Sequence, residues 1–305
     1  MMTRREAIGL LGSMSAGTLL ATRNGSTSWI ASASGIQAQQ GDSIPRLARG
    51  APTSPERLAL IDAFKQQSEG IETRFEARTH KSDWVMPYRL FRPQASGTLP
   101  LVVYLHGSGG LGDDNLKQMG LGNIFGTRVW ALPENQKTFP CYVVVPQTDR
   151  GWVRYAAPSP GDSVARVVPG LGDGARLALE IVDGLRREFA IDERRIYVTG
   201  QSMGGAGTWH MTARRPRLFA AAVACCGSRS GDAAVASVGT PMWNFHGDAD
   251  ATVPPAVSRD RIAALRKAGG HPLSTEYAGV GHNVWEWAYT EPALVSWVLS
   301  QRRAT

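Results

Sequence analysis

Residues 101–105 run Leu-Val-Val-Tyr-Leu without a polar break, and residues 141–145 form a second, nearly unbroken apolar run. Such runs predict strands buried on both faces, because a strand with one wet face alternates apolar and polar side chains. Residues 195–199, 219–224, 242–245 and 274–277 predict further strands. Between them the apolar period changes to that of a helix. Ala178, Ile181, Val182, Leu185 and Phe189 line one stripe of 175–189. Residues 204–213 predict a helix stopped before Pro216, 255–267 one ended by Gly269-Gly270, and 292–299 the last. Ahead of the first buried run, Ser54-Pro55-Glu56 reads as an N-cap with proline at the first helical position, followed by a stripe of Leu58, Leu60, Ile61 and Phe64. Residues 71–77 alternate enough to pair as an edge strand with 86–91. Strands alternating with helices predict an α/β fold: a mostly parallel sheet with helices on both faces.

The first 33 residues follow another pattern. Arg4 and Arg5 precede an apolar stretch over 7–21 diluted by Gly, Ser and Thr, and Ala31-Ser32-Ala33 offers small residues suited to signal peptidase. This predicts a signal peptide over 1–33, and Thr3-Arg4-Arg5 resembles the twin-arginine type, with an ordinary secretory signal as the alternative. The stretch is shorter than the roughly 20 residues of a membrane-spanning helix, so no stable span is expected after signal removal. Residues 34–53 are polar and lack periodicity, which predicts a linker, and 54–305 are expected to form one catalytic domain. The expected location is periplasmic or extracellular.

Composition narrows the classes. The 305 residues are 43% hydrophobic and 19% charged, ordinary globular values. Losing Arg4, Arg5, Arg23 and Glu6 with the signal takes the net charge from +7 to +5. The arginines are scattered in pairs without aromatic interleaving, which argues against a nucleic-acid partner. Adjacent Cys225 and Cys226 have Cα atoms about 3.8 Å apart, below the usual disulfide span, and Cys141 begins a strand where Cys225 ends one, so no disulfide is expected.

In a parallel sheet, ligands sit beyond the carboxyl ends of the strands. Four such positions carry candidate chemistry. Gly200-Gln201-Ser202-Met203-Gly204 follows a strand and opens a helix, the context of a serine on a sharp turn. His106-Gly107-Ser108-Gly109-Gly110 directly follows residues 101–105, where backbone N–H groups of Ser108 and, across the site, Met203 are placed to bind an oxyanion. Asp250, in His246-Gly247-Asp248-Ala249-Asp250, and His282, in Gly281-His282-Asn283, complete the chain order Ser, Asp, His. The serine hydroxyl needs an imidazole to take its proton, and the imidazole needs a carboxylate to fix its tautomer. His106 and His246 sit in turn motifs and are expected to serve packing and hydrogen bonding. Trp152, Trp285 and Trp287 lie in or near loops at this end, and Trp152 and Trp285 are candidates to line a substrate pocket. No H-E-x-x-H or paired-cysteine pattern supports a metal site.

These residues carry a family resemblance. Residues 103–110, Asp113-Asp114-Asn115, residues 197–205, Phe245 to Asp250 with Val253-Pro254, and Gly281-His282-Asn283 resemble the α/β-hydrolases, over about 70–300. The nearest resemblance is to esterases and predicted peptidases related to phospholipase/carboxylesterases and prolyl-oligopeptidase catalytic domains. The resemblance implies an eight-stranded sheet with strands three to eight parallel, a triad of Ser202, Asp250 and His282, and no cofactor. It departs from the oligopeptidases in lacking a propeller domain, and residues 110–140 contain no identifiable lid helix. The expectation is an exported serine hydrolase of carboxylic esters, small-molecule or polysaccharide-linked. A serine peptidase and a non-catalytic secreted binding protein on the same fold stand as alternatives.

Overall fold

The computed structural model describes residues 52–154, 172–227 and 236–304; the expected signal peptide and nearly all of the expected linker lie outside them. Eight strands form one sheet in the order β1-β2-β4-β3-β5-β6-β7-β8. They are β1 (Phe75–Lys81), β2 (Val85–Phe91), β3 (Leu99–Leu105), β4 (Tyr142–Pro146), β5 (Ile191–Gln201), β6 (Ala221–Cys225), β7 (Met242–Gly247) and β8 (Leu273–Tyr277). β2 pairs antiparallel with β1 and with β4, and the remaining pairs are parallel.

Side-chain alternation sends each central strand into two cores. Val102 and Tyr104 of β3, Val143 and Val145 of β4 and Val223 of β6 enter one, packed under α1 (Pro55–Gln67), α2 (Asn123–Arg128) and the C-terminal helices. Leu101, Val103, Leu105, Val144, Ile196 and Val198 enter the other, beneath α4 (Asp173–Glu188), α5 (Met203–Arg214) and α6 (Pro255–Lys267). A helix follows each of β5 and β7 directly, so the carboxyl ends of the parallel strands gather their loops along one edge. α1 starts as its sequence requires: Ser54 accepts a hydrogen bond from Arg57 N, and Pro55 takes the first turn.

One local expectation is corrected. Residues 71–74 form a 3₁₀ turn rather than the start of β1, because Thr73 donates both its N–H and its Oγ1 to Gly70 O and so closes a turn where a strand would stay extended. Residues 110–140 contain α2 and α3 (Pro133–Thr138). Each is too short to display a period, and Phe125, Trp130 and Leu132 pack this segment into the core. α7 (Trp285–Tyr289) and α8 (Leu294–Ser300) close the chain. Cys141, Cys225 and Cys226 are unpaired and buried, with β3 and β5 between the strands that Cys141 and Cys225 flank.

Candidate active site

The turn between β5 and α5 places Ser202 in a conformation few side chains adopt, with φ 52° and ψ −118°. Its own N–H is held by Cys225 O of the neighbouring strand at 2.8 Å. The glycines around it answer to close packing. A Cβ on Gly204 would stand 1.8 Å from Leu105 O, and one on Gly200 would stand 2.5 Å from Gly204 O. Strand and helix can therefore approach, and the serine projects from the tip of the turn.

His282 follows β8 and Asp250 follows β7, and the sheet register brings both loops to Ser202. His282 Nε2 is 2.8 Å from Ser202 Oγ. Its Nδ1 is 2.7 Å from Asp250 Oδ2. The carboxylate requires a proton on Nδ1, which leaves Nε2 free to accept the hydroxyl proton. Asp250 Oδ1 accepts the N–H groups of Thr252 and Val253 at 2.8 and 2.9 Å. Burial alone would raise the Asp250 pKa, but the bond from His282 and those two N–H donors more than offset it and hold the pKa below the ordinary value. His246 Nε2 lies 3.2 Å from Asp250 Oδ2, and its ring is fixed by Val253 O and Ser258 Oγ. Asp248 has another job: its Oδ1 accepts Gly279 N at 2.6 Å, tying the aspartate loop to the histidine loop.

The loop after β3 adjoins the serine: a Cβ on Gly107 would lie 3.6 Å from Ser202 Cβ. Gly107 O accepts from His106 Nδ1 at 2.8 Å and from Gly110 N at 2.9 Å. In a planar trans peptide the next N–H points the opposite way, so these bonds turn Ser108 N–H away from His106. Ser108 and Met203 each open a helical turn, where N–H groups have no acceptor within the turn. His106 is fully buried and accepts Thr148 N at its Nε2, 3.1 Å away. Burial pushes its pKa down to about 4, against the opposing bond to Gly107, so the ring is neutral at pH 7. Asn123 Oδ1 accepts Gly107 N at 3.0 Å and anchors the loop to α2.

The tryptophans divide. Trp285 stands edge-on to the His282 ring, with centroids 5.5 Å apart. Trp152 is corrected: it has no exposed surface, its ring packs against His106, and its Nε1 donates to His106 O at 2.9 Å. It supports the glycine-rich loop from beneath and offers no face to a ligand. Trp287 is buried and donates to Pro52 O, joining the N-terminal segment to the domain. Cys226, Asp250 and His282 bring ligand atoms within 4.8 Å of one another. They make a poor cation site, because Asp250 and His282 spend their facing atoms on each other and burial keeps the Cys226 thiol protonated. Asn123, through Gly107 N–H, and Cys226, whose Sγ donates to His282 O at 3.3 Å, support the site through contacts that carry no local sequence signal.

Residues 178–230, which span the Ser202 turn, match the prolyl oligopeptidase family. A bifunctional acetylxylan esterase/xylanase of Neocallimastix patriciarum is 34% identical over 71 residues, 23% of this chain and 11% of that protein. A thermostable esterase structure is 33% identical, superposes with a TM-score of 0.70, and is matched over 76% of this chain and 64% of its own. A CE1 ferulic acid esterase from Anaeromyces mucronatus, in complex with ferulic acid, shares the fold at 16% identity and a TM-score of 0.54, over 79% of this chain and 95% of that one. The chain thus spans about a tenth of the curated relative and under two thirds of the thermostable esterase. Its sheet order, the turn that carries Ser202 and these likenesses agree, and the chain belongs to the α/β-hydrolase superfamily.

Proposed function

We propose that this chain is an exported serine hydrolase that cleaves carboxylic esters through an acyl-enzyme on Ser202, with His282 as base and Asp250 as its orienter. The observation that carries the reading is the unbroken hydrogen-bonded line from Ser202 Oγ through His282 to Asp250. His282 Nε2 takes the hydroxyl proton as Oγ bonds to the ester carbonyl carbon, and the carbonyl electron pair moves onto oxygen. Ser108 N–H and Met203 N–H are the groups assigned to that oxyanion, where one donor is commonly worth about 10²–10³ in rate. The carbon–alkoxide bond then breaks, and His282 returns its proton to the leaving oxygen. Water repeats the sequence on the acyl-enzyme, releasing the acid and restoring the Ser202 hydroxyl.

Trp285 is assigned to the substrate pocket by its position beside His282. The substrate class is a small-molecule or polysaccharide-linked ester, a reading supported by the acetylxylan and ferulic acid esterases among the similar proteins. Export rests on the pattern of residues 1–33; no helix among the described residues is long and apolar enough to cross a membrane. A peptidase is the second reading, favoured by the prolyl oligopeptidase match, although ester and amide cleavage both use the matched turn. A fluorophosphonate probe is expected to label the protein, and Ser202→Ala to abolish labelling. Acyl esters compared with aminoacyl anilides then decide between the readings: a higher kcat/KM for any anilide than for every ester would install the peptidase.

A further inference from the structure

Leu121 is the most exposed of the large apolar side chains exposed among the described residues, at 77%. It also holds φ at +48°, a left-handed conformation that crowds the Cβ of any residue but glycine. Glycines stand on both sides of it, at 120 and 122, yet the strained position carries leucine. The side chain recovers neither cost by burial in the free protein, and a strained, solvent-facing residue of this kind calls for a functional explanation.

Its neighbours supply one. Leu121 Cδ1 lies 3.7 Å from where a Cβ on Gly109 would be, so it rests against the loop that carries Ser108. The next residue, Gly122, packs so closely on Trp285 that a Cβ there would lie 2.8 Å from the indole Nε1. Trp285 in turn stands edge-on to His282. Leu121 thus rests on the proposed oxyanion loop, while the residue beside it packs on the tryptophan that meets the imidazole. The alcohol oxygen of an ester must reach His282 Nε2 to receive its proton, which brings the alcohol beside the ring that Trp285 also meets.

Resting on the serine hydrolase reading, we infer that Leu121 and Trp285 form an apolar clamp for the alcohol portion of the substrate and make Leu121 a specificity-determining residue for aryl-sized alcohols. Binding such a group would cover the leucine and recover the burial that the free protein forgoes. The alcohol has left before deacylation, so the clamp acts on acylation alone.

The test measures kcat/KM for benzyl acetate relative to methyl acetate, and for methyl benzoate relative to methyl acetate, in the mature protein. Leu121→Ala is expected to lower the benzyl-to-methyl ratio in the alcohol series by about tenfold, with the acyl series unmoved. Leu116→Ala, which removes another exposed leucine, is the control and should alter neither ratio. Leu121→Gly relaxes the backbone at φ +48° and should therefore melt no lower than Leu121→Ala while losing the same selectivity. A ratio that falls in the acyl series, or in neither, overturns the inference. If the wild type is not labelled by the fluorophosphonate, the hydrolase reading itself fails; if it is labelled and the alcohol ratio stays constant, only the clamp fails.

Discussion

Replacing Asp250 by Asn should show which carboxylate orients His282. In the native site Oδ1 is claimed by Thr252 N–H and Val253 N–H at 2.8 and 2.9 Å. Those two donors hold the carbonyl oxygen of an asparagine in the same place, since turning the amide over would set its NH₂ against them. The NH₂ group then faces His282 Nδ1, now 2.7 Å from Oδ2. Nδ1 must become an acceptor, the proton moves to Nε2, and the nitrogen facing Ser202 can no longer take the hydroxyl proton. A wrong tautomer of this kind costs about 10⁴ in kcat, or about 5.5 kcal/mol of barrier. The Asp250 side chain has no exposed surface, so water has no route to repair the arrangement. Asp248→Asn leaves an oxygen to accept Gly279 N–H and should keep the rate within a few-fold. Steady-state ester hydrolysis and the fluorophosphonate labelling rate measure both variants, with circular dichroism to verify folding. A folded Asp250→Asn enzyme at near-native rate, beside a crippled Asp248→Asn, would refute the reasoning. The lowered Asp250 pKa adds a signed check: its contribution to stability is present above the unfolded carboxylate value and lost as pH falls through the lower native one, so Asp250→Asn should flatten the acid limb.

Gly204→Ala would place a Cβ 1.8 Å from Leu105 O and 2.8 Å from His106 O, both backbone atoms, and is expected to cost at least about 3 kcal/mol by urea unfolding; a loss under about 1 kcal/mol would show that the strand and helix can part. His106, with a native pKa of about 4, contributes stability fully above the unfolded histidine value near 6.5 and loses it as pH falls through about 4. The urea midpoint of the wild type should therefore fall more steeply over that window than the midpoint of His106→Gln, by up to about 3 kcal/mol in stability; parallel curves would refute a buried neutral ring.

Some of this architecture was legible residue by residue. Residues 101–105 read as a strand buried on both faces, and they pair on both sides, with β4 and β5. Helix 255–267 was bounded by Pro255 and the Gly269-Gly270 pair, and its observed limits agree with that reading. Trp152 went wrong because burial depends on what crosses above a side chain. Its own neighbours place it in a loop, while His106, from a segment 46 residues away, receives it. The short helices of 110–140 were hidden because a period needs several turns to appear.

The amino-acid sequence by itself determined the alternation of buried strands and helices, the glycine spacing around Ser202 and the order Ser, Asp, His, since these follow from local sterics and from periodicity along the chain. The tertiary structure alone decided the distances. His282 meets a serine 80 residues before it and an aspartate 32 before it, and only the parallel register of β5 to β8 brings the three loops together. It also decided that Asp248 ties two loops, and that Leu121 stands strained and exposed beside the loop that carries Ser108. Hydrogen bonds of this kind and exposure are properties of neighbours in space, and residue spacing along a chain does not contain them.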